Sequence, residues 1–312
     1  MTSATAPLAG RTLVSGPPAE QRRRRQHWTP YLFLAPAVIA VGVFVLYPVV
    51  TVAVQSLFDI NPTRHQGWKF VGFANYVEAL HDSQLWSVAV NTVEWTLGSV
   101  VLQLVVAMLA AVVLDRLGGN GVVRALFVVP WATPVVVGAL AWKYLYLPDY
   151  GLLNQALGAV GLGSFERAWL ADPNTALWAV IVTNVWRGFP FLMVMIVAGM
   201  ATVPVELYEA AQVDGASWWR SFRSITLPLL RPMLLASTLM ALIWTFNNFS
   251  MIYVMTGGGP AGATDILTTF VYKAGFKSFD FGYASALSMV LFAVVALGSA
   301  LYLRLTAKDV LS

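Results

Sequence analysis

The chain has 312 residues, 58% hydrophobic and 11% charged, with a formal net charge of +4. A soluble domain carries about 25% charged residues, so the bilayer is the expected solvent, and the basic excess belongs to loops between apolar spans rather than to a nucleic-acid surface. With no cysteine, a disulfide framework, a thiol nucleophile and a thiolate metal site are all excluded.

Residues 1–28 are rich in Ala, Pro, Ser and Gly and include Arg22, Arg23, Arg24 and Arg25. They read as a disordered basic tail. An apolar run from Tyr31 to Leu57 follows, too long for a signal-peptide core and without a small-x-small cleavage site. It is expected to be an uncleaved span within 29–58. Five further runs reach the roughly 20 residues that cross hydrocarbon: Trp86–Leu114, Val122–Leu147, Thr175–Ala201, Leu229–Met255 and Tyr283–Leu303. Pro130, Pro134 and Pro190 fall inside them, which a bundle tolerates. The fold class expected is an all-α membrane protein of six helices. Residues 59–85 form a short outer loop, 86–304 the main helical domain and 305–312 a tail.

Orientation follows from Lys and Arg. With the N-terminus inside, the inner segments carry twelve: Arg11, Arg22–Arg25, Arg116, Arg124, Arg220, Arg223, Arg231, Arg304 and Lys308. The outer loops carry five: Arg64, Lys69, Arg167, Lys273 and Lys277. The bias places both termini in the cytoplasm. In the outer loops, Leu152–Val160 has the spacing of a small interfacial helix, and "TGGGPAGAT", Thr256–Thr264, is a flexible or sharply turned loop. His27, His65 and His81 are scattered, with no carboxylate pair nearby. Neither a metal nor another cofactor is expected.

The inner segment 204–228 is polar and patterned. Pro204 suits a helix start, and Glu206 and Glu209 then sit where the helix dipole favours acids. Ala210 and Ala211 allow close approach, with Asp214 on a neighbouring face. Gly215 ends the helix. A second short helix carries Trp218, Trp219 and Phe222, with Arg220 and Arg223 flanking. The physics alone leaves two readings of this elbow: an amphipathic loop that binds headgroups, or a handle for a soluble partner.

The spacing Glu209-Ala210-Ala211, three residues, Gly215, nine residues, Ile225-x-Leu227-Pro228 resembles the signature loop of permease subunits of binding-protein-dependent ABC importers. All seven positions match. The segments "NTVEWT", "VPWATP", "NVWRGFPF", "ELYEAAQVDGAS", "FNNFSMIYVMTGGGPAGAT" and "LTTFVYKAGF" resemble the carbohydrate branch of that family, the maltose-transporter type. The likeness covers all but residues 1–28, and the first span resembles that branch's extra N-terminal helix. The large inserted periplasmic domain of the enterobacterial maltose permease is absent, because 58–85 is short. The resemblance implies a type I ABC importer permease fold with a cytoplasmic coupling helix. It implies that the elbow docks in the ATP-binding subunit, with Asp214, Gly215 and Ala216 nearest its tip. It also implies a second permease subunit in a heterodimer, a dimeric ATPase and an extracytoplasmic substrate-binding protein.

Polar groups inside spans point to function by default. Arg187 in "NVWRGFPF" is one, and Asn247 and Asn248 in "WTFNNF" are others. Trp186, Phe189, Phe191 and Trp244 lie near them in sequence, and aromatic faces beside amides suit a sugar. The family's sugar contacts, carried over, fall on Arg187, Gly188 and Phe191 in the fourth span. In the fifth they fall on Ala241, Trp244, Thr245 and Asn248. Arg187 replaces an apolar residue of the maltose pattern and Thr245 an amide, so maltose itself is not implied. Structural roles stay open at this point: for Arg187 an ion pair with Glu94 or a bond to backbone carbonyls, and for Asn247 and Asn248 helix–helix hydrogen bonding. A polyol or a solute such as glycerol 3-phosphate is the alternative cargo.

The chain lacks G-x-x-x-x-G-K-[ST], and Gly257-Gly258-Gly259-Pro260 has no Lys. It is therefore expected to be no enzyme, with ATP hydrolysed on another chain. An ion-driven transporter would need intramembrane carboxylates, for which only Glu94 is a candidate. An intramembrane enzyme lacks H-E-x-x-H and a Ser–His pair within spans.

Overall fold

The computed structural model describes residues 29–64, 67–116 and 121–310. The tail expected over 1–28, with Arg11 and Arg22–Arg25, lies outside the described residues, as do His65 and the end of the 305–312 tail. Two compact units divide the chain between Thr51 and Val52.

The first unit is a helix with a fault in it. Helix α1, Thr29–Val41, passes through a π-helical turn, Gly42–Leu46, into α2, Tyr47–Gln55. The Tyr47 N–H donates to Gly42 O across that turn. Pro48 explains the widening: it has no N–H, and its ring would meet the carbonyl of Phe44 in a regular helix. Pro30–Gln55 is long and apolar enough to span a membrane.

The second unit takes in the end of α2 from Val52, then β1, Phe58–Asp59, paired antiparallel with β2, Lys69–Phe70. Helix α3, Ala74–His81, leads into α4, Ser83–Arg116. At 34 residues and about 1.5 Å per residue, α4 outruns the hydrocarbon. Helices α5, Gly121–Ala132, and α6, Val135–Leu145, are bent by 94° at a short break. Next come α7, Leu152–Ala159, and α8, Pro173–Met200. Asp172 caps α8 by accepting from Asn174 N at 2.9 Å, with Pro173 in the first turn. The elbow holds α9, Val205–Val213, and α10, Trp218–Ser221. A second π turn, Phe222–Thr226, joins α10 to α11, Leu227–Phe246, and is followed by α12, Phe249–Met255, α13, Leu267–Phe276, and α14, Phe281–Val310.

Among the described residues, five helices are long and apolar enough to cross, and six spans result if the bent α5–α6 pair is one. The expected span Val122–Leu147 is therefore two helices. Pro134 lacks an N–H and forces Thr133 out of helical geometry. The expected span Leu229–Met255 is displaced: the helix runs from Trp218 to Phe246 and stops at Asn247. The second elbow helix is thus no separate element but the first turn of this span. Its π turn matches the first one, with the Leu227 N–H reaching Phe222 O one residue before Pro228. The small helix expected at Leu152–Val160 is α7. The outer loop at Thr256–Thr264 is of the sharply turned kind, with Gly257, Gly258, Ala261 and Gly262 all at positive φ. Residues 59–85 do more than connect. The Phe281 N–H donates to Ile60 O at 2.9 Å, and Tyr283 Oη donates to Asp82 Oδ2 at 2.9 Å.

Helices α4 and α8 form the core. Ala107, Ala110 and Ala111 let α8 come close, with Leu192, Met193 and Ile196 packed beside them. Small residues suit helix contacts in lipid, where apolar side chains gain little by leaving it. The other face of α4 is an exposed apolar stripe, including Val90, Val93, Leu97, Val101, Val105 and Leu109. The loops sort to two ends. The end of the 59–85 loop, the α6–α7 turn and the α12–α13 loop lie at one end: Lys143 Nζ reaches Val254 O (3.4 Å), Asn91 Nδ2 reaches Gly262 O (3.2 Å), and Gln84 lines one cavity with Lys143 and Gly257. The elbow lies at the other.

Candidate functional site

The elbow is built by its caps. Pro204 precedes α9. At the other end the Gly215 N–H donates to Gln212 O at 3.1 Å and the Ala216 N–H to Ala211 O at 2.9 Å. With Gly215 at φ +71°, this is a Schellman motif, which needs a left-handed residue where Gly stands. Ser217 then caps α10 by accepting from Arg220 N. Trp218 stacks on Phe222 with centroids 5.4 Å apart, and the Arg116 guanidinium sits 4.4 Å from the Trp218 ring centroid. Tyr208 and Thr226 share a hydroxyl–hydroxyl hydrogen bond of 2.8 Å. These contacts tie α9 to the ends of α4 and α11.

Glu209, Ala210, Asp214 and Gly215 are exposed, and Ala211 and Ala216 are half-buried. Ile225 is half-buried, and Leu227 and Pro228 are exposed where α11 begins. Val213, beside Asp214 at the tip, is 88% exposed. An apolar side chain held out at a polar turn was not singled out from the sequence. Its signal was its place immediately before Asp214-Gly215.

The second site is a cavity of about 420 Å³ between α4, the α5–α6 bend, α8 and α11. All seven residues named for the substrate path line it: Arg187, Gly188, Phe191, Ala241, Trp244, Thr245 and Asn248. Two segments more than fifty residues apart in sequence thus meet at one space. Asn247 lines it as well. The sequence reading passed over Gln103, Trp131, Val135 and Asn184, which complete the lining. Gln103 and Asn184 had a signal, an amide inside an apolar span.

The floor is a chain of amides. Gln103 Nε2 donates to the Asn184 carbonyl at 3.2 Å. Asn248 Nδ2 donates to Asn184 Oδ1 at 3.2 Å, and Asn248 Oδ1 accepts from Met251 N at 3.3 Å, capping α12. The helix break at Asn247–Asn248 therefore turns an amide into the cavity, where a continuous helix would have satisfied its backbone locally. The Asn247 amide donates to Ile243 O at 2.8 Å on its own helix. Trp95 Nε1 fixes the Thr245 carbonyl at 2.9 Å. Gly188 has a packing reason for being glycine: a Cβ there would run into the Gln103 amide. On one wall Phe191 lies 4.8 Å from Trp244 and 6.3 Å from Trp131, centroid to centroid.

Two buried donors in this lining, Asn184 Nδ2 and Arg187 Nε, have no hydrogen-bond partner. Leaving such a group unpaired costs about 1–3 kcal/mol, so the site is suited to an occupant with acceptors. Arg187 makes no ion pair with Glu94 among the described residues, which removes that structural role for it. Helix–helix bonding does hold for Asn248, which reaches α8 from the head of α12.

A model of the family described as "Binding-protein-dependent transport system inner membrane component" matches residues 99–308. The trehalose/maltose transport system permease protein MalF of Thermococcus litoralis is 36% identical over 276 residues, 88% of this chain and 92% of its own length. The diacetylchitobiose uptake system permease protein DasB of Streptomyces coelicolor is 34% identical, over 95% of this chain and 92% of its own. Among solved structures, a chain of a bacterial alginate ABC transporter in complex with an alginate-bound periplasmic protein superposes with a TM-score of 0.78. It covers 93% of this chain and 97% of that one at 20% identity.

Proposed function

From the premise that this chain belongs to the binding-protein-dependent transport system inner membrane component family, with the fold of type I ABC importer permeases, we propose the following function. It is the transmembrane permease subunit of an ATP-driven importer that takes up a carbohydrate. Relatives at 34–36% identity are named for trehalose or maltose and for diacetylchitobiose. The observation that carries the reading is the cavity of amides faced by Phe191, Trp131 and Trp244. Aromatic faces stack on the C–H faces of a sugar ring while amides and a guanidinium bond its hydroxyls. A polyol or glycerol 3-phosphate would use the aromatic wall less, and no relative cited above is named for one.

The elbow is the coupling element. Its exposed tip, Val213 to Gly215, is shaped to enter a socket on a separate ATP-binding subunit. Closure of an ATPase dimer would be passed through Trp218, Phe222 and Thr226 into α11, since α10 continues into that helix. The cavity sits on the same helix, at Ala241, Trp244 and Thr245, so one rigid element joins handle and site. Alternating access follows if α11 tilts against α8. The chain would lie in the inner membrane with both termini cytoplasmic, beside a second permease chain, and would receive its cargo from an extracytoplasmic binding protein. The ATP-driven reading is tested by purification in mild detergent. An ATPase should co-purify with the wild-type chain and be lost when Val213 and Asp214 are both changed to Lys. Retention of the ATPase by that variant would remove the elbow from the coupling path.

A further inference from the structure

The cavity has a polar floor and an open flank. On its rim Trp131 and Trp244 are 45% and 48% exposed. Hydrocarbon cannot fill that opening, since it offers no partner to the amides of Asn184 and Asn248 or to the guanidinium of Arg187. It faces water or protein.

Arg187 sets the chemistry of the missing wall. Its Nε is buried and unbonded. No carboxylate is among the residues that line the cavity, and among the described residues no acid lies within ion-pair reach of it. The first span, Pro30–Gln55, contains no Asp or Glu at all. A cation inside a membrane protein is normally paired.

We infer that the companion permease, which in the importer reading closes this cavity, presents an aspartate or glutamate to Arg187. The inference rests on the reading of this chain as one permease subunit of an importer. An acidic cargo is the competing occupant. A cargo departs in every cycle, however, and would leave the cation to water alone each time, whereas a fixed carboxylate keeps it paired in the empty cavity.

The test is zero-length cross-linking in the complete importer, purified from cells that make both permease chains. Arg187→Lys puts a primary amine at the site. A membrane-permeant carbodiimide activates a facing carboxylate. The amine then displaces the activated oxygen, and an amide forms while the reagent leaves as a urea. Arg187→Gln controls for the chain's other lysines. The expected result is an adduct with the companion permease in Arg187→Lys and none in Arg187→Gln, the peptide spanning position 187 being joined to one Asp or Glu. An adduct within this chain, an adduct between two copies of it, or no adduct at position 187 in a complex that transports would overturn the inference alone. A preparation that holds no second permease would overturn the importer reading and the inference with it. If Arg187→Lys does not assemble, each intramembrane carboxylate of the companion is neutralised in turn. One such change should disrupt assembly and be rescued by Arg187→Gln; rescue at no position would contradict the pairing.

Discussion

Asn248 at the head of α12 donates to Asn184 in the middle of α8, side chain to side chain, at 3.2 Å. The bond joins the break in the fifth span to the fourth, so the two segments that line the cavity are held in register by their own lining. Asn248→Ala removes both this bond and the cap on Met251 N. The expected loss is about 1–2 kcal/mol of stability, from a hydrogen bond and an N-cap together. Uptake should fall at least several-fold in complexes that still assemble, measured with labelled oligosaccharide in proteoliposomes. Asn184→Ala should cost less when added to Asn248→Ala than by itself, because the shared bond is already gone.

Gly188→Ala tests the packing of α8 on α4. The added methyl group meets the Gln103 amide, and overpacking costs about 1–3 kcal/mol. Thermal denaturation in detergent should show the drop. Gln103→Ala in the same chain should recover most of it, and a pair no more stable than the single variant would mean that Gly188 is needed for something other than this approach.

At the elbow, Gly215 has open space around its Cα but a φ of +71°. Only the backbone conformation is therefore at stake. Gly215→Ala should cost about 1–2 kcal/mol locally and weaken ATPase attachment. Gly215→Asn tolerates the left-handed region and should keep most of it. Gly215→Asp is for the same reason a poorer probe of shape than of charge. Equal attachment by the Ala and Asn variants would show that the Schellman turn is not what the socket reads.

Trp244→Ala should lower uptake in complexes that still assemble, since Trp244 is half exposed on the rim and contacts Phe191 at 4.8 Å. Trp244→Phe keeps a stacking face and should retain much of the transport. Transport by Trp244→Ala equal to wild type would move the carbohydrate contact elsewhere.

The spans and the elbow were legible in the sequence for definite reasons. Apolar runs of bilayer length are hard to mistake, and the Glu209–Pro228 pattern joins a helix start, small residues and a glycine stop at fixed spacing. The bend at Pro134 and the start of the fifth span at Trp218 were not. Hydropathy does not distinguish a helix leaving the membrane from one bending within it, and the polar turns from Trp218 to Pro228 read as lying outside the span, with a short helix of their own, because their charges, not their backbone, dominate the average. The stop at Asn247 depends on a side-chain cap that hydropathy does not register. Gln103 stayed hidden for another reason. A lone amide in "VLQLVV" acquires its role only when Gly188, eighty-five positions on in the numbering, opens space for it.

The central claim is that this chain carries sugar at the expense of ATP spent on another chain. The most direct measurement is uptake of labelled oligosaccharides into proteoliposomes holding this chain, its companion permease and the ATPase, with the binding protein added outside. The account expects accumulation of a carbohydrate that requires internal ATP and the binding protein, is lost in Trp244→Ala and Asn248→Ala, and survives collapse of all ion gradients. Accumulation that proceeds without ATP and stops when a proton or sodium gradient is dissipated would contradict it.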